Sequence, residues 1–123
     1  VICTGGEPFL QLNRELIDTL HARDFYVAAE TNGTLKAPQL DWICVSPKAG
    51  VDIVQKSGNE LKLIYPQAGD DPQKYLNYDF EHFFLQPMDG PKYQENLHRT
   101  LQYVLDHPCW RLSLQIQKIL NIR

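Results

Sequence analysis

The 123-residue sequence predicts an α/β fold built on a parallel sheet, either a doubly wound sheet or an arc of a β/α barrel. Three observations carry this expectation. Six short strand-like runs alternate with helices or helix-length connections, each long enough for a parallel crossover. The second run is mostly apolar, as expected of a strand covered on both faces. Polar clusters follow five of the runs at their carboxyl ends, where parallel architectures bind ligands. Two of the connections are too short for full helices, which favours the incomplete barrel. Residues 1–123 read as one domain, long enough to bury a core.

In chain order, Val1–Cys3 reads as the end of a buried strand. Asn13–Arg23 reads as an amphipathic helix with Leu12, Leu16, Ile17 and Leu20 on its apolar face. Between them lies Thr4-Gly5-Gly6-Glu7-Pro8, whose two glycines remove two Cβ atoms and let the backbone approach a ligand closely. Phe25–Glu30 is the second strand and runs into Glu30-Thr31-Asn32-Gly33-Thr34, where Asn-Gly favours a tight turn. Trp42–Val45 is the third, followed by Ser46-Pro47-Lys48. Ser57-Gly58-Asn59 reads as a turn before the fourth strand, Glu60–Tyr65. Its alternation sets Lys62 opposite Leu61 and Leu63, pointing either into a polar lumen or off an exposed edge.

One helical turn is expected after Asp71-Pro72. His82–Leu85 is the fifth strand, with Gln86-Pro87-Met88-Asp89 behind it. Glu95–Asp106 is the second clear helix, with Leu97, Leu101, Val104 and Leu105 inward and Pro108 as its stop. Trp110–Gln115 is the last strand, and Gln117 and Lys118 lie just past it.

Twelve basic and fifteen acidic side chains give a net charge of −3, which does not suggest a nucleic-acid surface. No apolar run approaches the roughly 20 residues of a membrane span. No leader pattern is present, so a cytoplasmic location is the default expectation. Cys3, Cys44 and Cys109 are widely spaced and form no metal-ligand pair; Cys3 and Cys44 read as buried strand thiols. With no initiator Met and a strand at residue 1, the sequence reads as the carboxyl-terminal piece of a longer chain.

The rim of strand ends offers groups for a polar ligand bearing both amine and carboxylate. Lys48 can neutralise a carboxylate, and the Gly5 and Gly6 carbonyls can accept from an ammonium. His21, His98 and His107 fall on or beside helices, and His82 is read as opening a strand away from the rim. There is no Ser-His-Asp order, P-loop or GxGxxG pattern. Chemistry at this rim therefore has to come from a cofactor.

Thr4-Gly5-Gly6-Glu7-Pro8 resembles the TGGEP motif of radical S-adenosylmethionine enzymes. It is joined by Glu30–Thr34, Val45–Lys48, Glu60–Lys62, Leu85–Asp89 and Trp110–Gln115, in order along the whole chain. Together these resemble the carboxyl-terminal part of the 7-carboxy-7-deazaguanine synthase family, lyases of queuosine and deazapurine biosynthesis.

The resemblance implies that Gly5, Gly6, Glu7, Ser46, Pro47, Lys48, Gln86, Pro87, Met88 and Asp89 form the S-adenosylmethionine site. Thr4, the position of Gln117 and the terminal Arg123 would contact the substrate, 6-carboxy-5,6,7,8-tetrahydropterin. It implies hydrogen abstraction from that pterin by a 5′-deoxyadenosyl radical, then ring contraction with loss of ammonia. A four-iron–four-sulfur cluster, Mg2+, an external electron donor and a homodimer also follow from it.

Two departures stand out. The family's cysteine loop for the cluster is not in this sequence, so the chain alone is expected to be inactive. Gln117 stands where the family typically has a substrate-contacting His. Two other readings share some of these features. A radical-enzyme activase would use TGGEP and ETNG-like turns but has no need of the Gln86–Asp89 and Trp110–Lys118 segments. A non-catalytic ligand-binding barrel arc would accommodate both departures.

Overall fold

The computed structural model describes residues 1–122. Among them, β1 (Ile2–Cys3), β2 (Ala28–Thr31), β3 (Trp42–Val45), β4 (Ser57–Tyr65), β5 (Asp79–Pro87) and β6 (Trp110–Leu112) form one sheet. Neighbours in the sheet are neighbours in sequence, and every pair is parallel. A doubly wound sheet has a point where strand order reverses; a barrel is wound in one direction. The strictly sequential order makes this an arc of a parallel β/α barrel.

Helix α1 (Arg14–His21) links β1 to β2, and α2 (Tyr93–Asp106) links β5 to β6. Asn13 starts α1 by accepting a hydrogen bond from the Leu16 N–H at 2.9 Å. A 3-10 helix, Pro72–Asn77, lies between β4 and β5 with Asp71 as its cap. The short α3 (Ile116–Ile119) follows β6.

The sheet has two chemically different faces. Val45, Leu61, Phe83 and Trp110 stand side by side across β3 to β6. With Ile53, Leu63, Tyr75, Phe80 and Leu85 they build the core on the side covered by α2. On the lumen face the aligned residues are Glu30, Cys44, Glu60 and His82. Lys62 belongs to this face and pairs with Glu30 at 3.4 Å, so the lumen alternative holds for it. Burial pushes the Cys44 thiol up to about 12.

Several boundaries differ from those read in the sequence, each for a pairing reason. Val1 and Ile2 are exposed, Ile2 at 69%, and among the described residues β1 pairs only with β2. Phe25 and Tyr26 are exposed and precede β2, because pairing with β1 and β3 begins only at Ala28. Ser57-Gly58-Asn59 is the start of β4 rather than a turn. Ser57 and Gly58 pair with Asp79 and Phe80, and Asn59 accepts from the Ile43 N–H through its side chain.

The same pairing extends β5 back to Asp79, which places His82 in mid-strand between Trp42 and Phe84. On α1, Ile17 is buried while Leu16 is exposed. The inward face of α2 is set by Asn96 and Thr100, with Val104 partly buried, whereas Leu101 and Leu105 are exposed. Both polar groups are satisfied: Asn96 donates to the Met88 carbonyl at 2.9 Å, and Thr100 donates to the Asn96 carbonyl at 2.6 Å. Strand β6 stops at Leu112, so Gln117 and Lys118 lie on α3. Cys3 is half-buried and Cys109 exposed.

Gly33 is the structural glycine behind the rim. Its φ is +81°, and a Cβ there would lie 2.7 Å from Val45 Cγ1 and 3.1 Å from Ile53 Cγ2, both on buried residues. Gly33→Ala combines left-handed strain with overpacking and should cost about 2–5 kcal/mol in urea unfolding. A loss below about 1 kcal/mol, usual for surface changes, would show that this turn can relax.

Candidate functional site

The carboxyl ends of β1, β2 and β3 enclose a cleft of about 320 Å³. Thr4, Gly5, Gly6 and Glu7 line it from the first loop, Glu30, Thr31 and Asn32 from the second, and Ser46 and Lys48 from the third. Parallel pairing of three neighbouring strands brings these loops to one edge.

Glu7 stitches the first two loops together. Its carboxylate accepts from the Thr31 hydroxyl at 2.8 Å, the Asn32 N–H at 2.9 Å and the Phe9 N–H at 3.2 Å. Thr31 Oγ1 in turn accepts from the Gly33 N–H at 3.0 Å. Asn32 turns back on its own loop, accepting from the Thr34 N–H at 2.8 Å. Ser46 donates through its hydroxyl to the Lys62 carbonyl at 3.0 Å.

Among the groups that line the cleft, the two glycines and Lys48 are left without such ties. Neither Gly5 nor Gly6 has a carbonyl engaged in a backbone hydrogen bond among the described residues. A Cβ on either glycine would meet nothing within 4 Å, so both border open space. Gly5 holds φ at +115°, which turns the loop at the end of β1. Lys48 is exposed and forms no ion pair among the described residues. A cleft lined by an unpaired ammonium and by two glycines with unengaged carbonyls suits a zwitterionic amino-acid moiety.

A second rim cleft, about 370 Å³, lies at the ends of β5 and β6 and is lined by Asp89, Tyr93, Gln94, Gln115, Lys118 and Ile119. Lys118 donates to Asp89. That hydrogen bond, together with the Gly90 N–H, holds the Asp89 carboxyl below the usual carboxylate range. A larger hollow of about 420 Å³ sits away from the strand ends, beside α1, with Arg14, Asp18 and His21 in its wall. These are already paired, Arg14 with Asp18 and His21 with Asp41.

Of the residues singled out in the sequence, Thr4, Gly5, Gly6, Glu7, Ser46 and Lys48 share the first cleft, and Asp89 lies in the second. Pro47 and Pro87 are buried, and Gln86 and Met88 are half-buried and line neither cleft. Gln117 is exposed on α3 and lines neither cleft. Arg123 lies outside the described residues. Glu30 joins the first cleft, a contact signalled in the sequence only by its place at the end of β2.

No family model matches the sequence. Curated relatives do, over the whole chain. It is 55% identical over 123 residues to the 7-carboxy-7-deazaguanine synthase of Caulobacter vibrioides. It is 56% identical over 124 residues to that of Bradyrhizobium diazoefficiens, and 54% over 123 to that of Bordetella pertussis. These alignments cover 99%, 100% and 99% of this chain.

The chain belongs to the 7-carboxy-7-deazaguanine synthase family. It spans 59% of the length of these three relatives. The sheet arc and its polar rim are thus the part of a 7-carboxy-7-deazaguanine synthase framework that this chain provides. Among the described residues, no group of three His, Cys, Asp or Glu is placed to hold a metal ion. None of the described helices is long and apolar enough to cross a membrane.

Proposed function

We propose that the β1–β3 cleft is the S-adenosylmethionine site of a 7-carboxy-7-deazaguanine synthase acting on 6-carboxy-5,6,7,8-tetrahydropterin with loss of ammonia. The observation that carries this reading is the convergence of Thr4–Glu7, Glu30–Asn32, Ser46 and Lys48 on one cleft, in a chain 55% identical to such a synthase. The open space at Gly5 and Gly6 fits a ligand approaching the backbone, and Lys48 supplies the counter-charge for its carboxylate. When bound, S-adenosylmethionine supplies the 5′-deoxyadenosyl radical chemistry that abstracts hydrogen from the pterin.

The protein's own part at this rim is to bind and orient. Glu7 fixes the relative position of the first two loops, which holds the Gly5-Gly6 turn in place as the site for the ligand's ammonium. Lys48 then anchors the other end of the amino-acid moiety. Cys3, Cys44 and Cys109 lie on separate elements and do not form the shared cysteine loop that a four-iron–four-sulfur cluster needs. The reading carries with it a homodimer, an external electron donor and a cytoplasmic setting.

Calorimetric titration of the full-length protein with S-adenosylmethionine tests the site. Saturable binding that is weakened by Lys48→Ala is the expected result. Binding indifferent to Lys48 would place the cofactor elsewhere.

Position 117 gives a separate expectation for the pterin. By family resemblance it is a substrate contact, although Gln117 is exposed on α3. A Gln can reproduce a hydrogen bond of His but not its protonation. A bound pterin that covers this side chain would make it a buried partner, and Gln117→Gly should then weaken pterin affinity by about 1–3 kcal/mol. Gln117→His should restore or raise turnover near neutral pH. Unchanged affinity and rate in both variants would remove position 117 from the substrate site.

A further inference from the structure

The lumen face beneath the cleft carries one ion pair that the binding groups named above do not explain. Lys62, on β4, reaches across β3 to Glu30 on β2, with its Nζ 3.4 Å from Oε1. The other carboxylate oxygen of Glu30 accepts from the Thr4 hydroxyl at 3.4 Å, tying the pair to the first loop. The strand between them presents Cys44, a buried thiol that offers the ammonium no competing charge. The nearby Glu60 is committed to the Trp42 indole N–H at 2.9 Å. The two partners differ in access: the Lys62 side chain is 21% exposed and that of Glu30 is 48%. The anchored member lies below, and the accessible member stands in the cleft wall.

We propose, resting on the assignment of this cleft to S-adenosylmethionine, that Lys62 is a positioning residue: its ammonium fixes the Glu30 carboxylate as an acceptor for the ligand's ammonium or hydroxyl protons. A carboxylate free to rotate would give up part of a charge-assisted hydrogen bond to orientational disorder, whereas one held from behind presents its oxygens in a set direction. Lys62 and Lys48 then divide the work, the first orienting an acceptor and the second meeting a carboxylate. The Lys62 carbonyl also receives the Ser46 hydroxyl, a main-chain contact that side-chain substitution leaves in place.

Two measurements on the full-length protein test this. In calorimetry with S-adenosylmethionine, Lys62→Met and Glu30→Gln should each weaken affinity about tenfold, and the double variant by no more than either alone, as for residues acting as a unit. Lys62→Arg should retain most of the affinity. Unchanged affinity in Lys62→Met, or losses that multiply in the double variant, would overturn the proposal. Lys62→Gln replaces the Met variant if the latter does not melt like the parent.

The second measurement needs no ligand. Amine acylation read by mass spectrometry should label Lys62 far more slowly than Lys48, and Glu30→Gln should raise the Lys62 rate several-fold. Equal rates for the two lysines in the parent would show that the pair does not form, and the proposal falls even if S-adenosylmethionine binds. A parent that binds no S-adenosylmethionine removes the cleft assignment and the proposal with it, whatever the acylation rates.

Discussion

Gly6→Val in the full-length protein should abolish S-adenosylmethionine binding while leaving the fold intact. A Cβ at Gly6 meets no atom within 4 Å, and Gly6 lines the cleft, so the first atom of a branched side chain is accommodated by the protein and takes up space at the cleft's edge. Gly6 is not among the residues with positive φ, whereas Gly5 is. The backbone at position 6 therefore accepts an L side chain, and the loss falls on the ligand. A decrease of at least about a hundredfold, roughly 3 kcal/mol, is expected in calorimetry. The melting temperature should stay close to that of the parent. Retained affinity with an unchanged melting temperature would mean that the Gly5-Gly6 turn shapes the loop but touches no cofactor.

The largest effect on stability is expected at Trp110. It is 1% exposed, aligned with Phe83 in the neighbouring strand, and its ring meets Phe83 at 5.4 Å in an edge-on arrangement. Helix α2 packs over β6 on this side of the sheet. Trp110→Ala should cost about 3–5 kcal/mol in urea unfolding, the range for large aromatic truncations in cores. The indole N–H is buried with no hydrogen-bond partner among the described residues. Trp110→Phe should therefore cost much less, because losing packing volume is offset by removing an unmet donor. A loss below about 1 kcal/mol for the Ala variant would place Trp110 outside the core.

Much of this architecture is legible in the sequence where local signals agree. Trp42–Val45 is recovered to the residue because an apolar run is bounded by Asp41 and by Ser46-Pro47. The clustering of Thr4–Glu7 with Ser46 and Lys48 follows once the strands are taken as parallel, since their carboxyl ends must then share an edge.

What was not legible depends on partners. Asp79, Glu81, Ser57 and Asn59 look like loop residues, yet they lie in strands because β4 and β5 pair along most of their length. Phe25 and Tyr26 look like strand residues and are not, because pairing begins at Ala28. The core-facing residues of α2 were hidden for a related reason. Asn96 and Thr100 are polar by type and become buried through hydrogen bonds to the Met88 and Asn96 carbonyls.

At the site, the role of Glu7 as a clamp requires knowing that β1 and β2 are neighbours, which spacing alone does not give. Lys62 was open between lumen and edge until strands were placed on both sides of β4, with Glu30 on the same face.

The most direct measurement is product formation by the full-length protein, assayed anaerobically with a reductant, S-adenosylmethionine, Mg2+ and 6-carboxy-5,6,7,8-tetrahydropterin. Mass spectrometry should detect 7-carboxy-7-deazaguanine together with released ammonia, and Gly6→Val should form neither. Tight binding of S-adenosylmethionine with the pterin returned unchanged would contradict the synthase assignment and leave the barrel arc as a ligand-binding module.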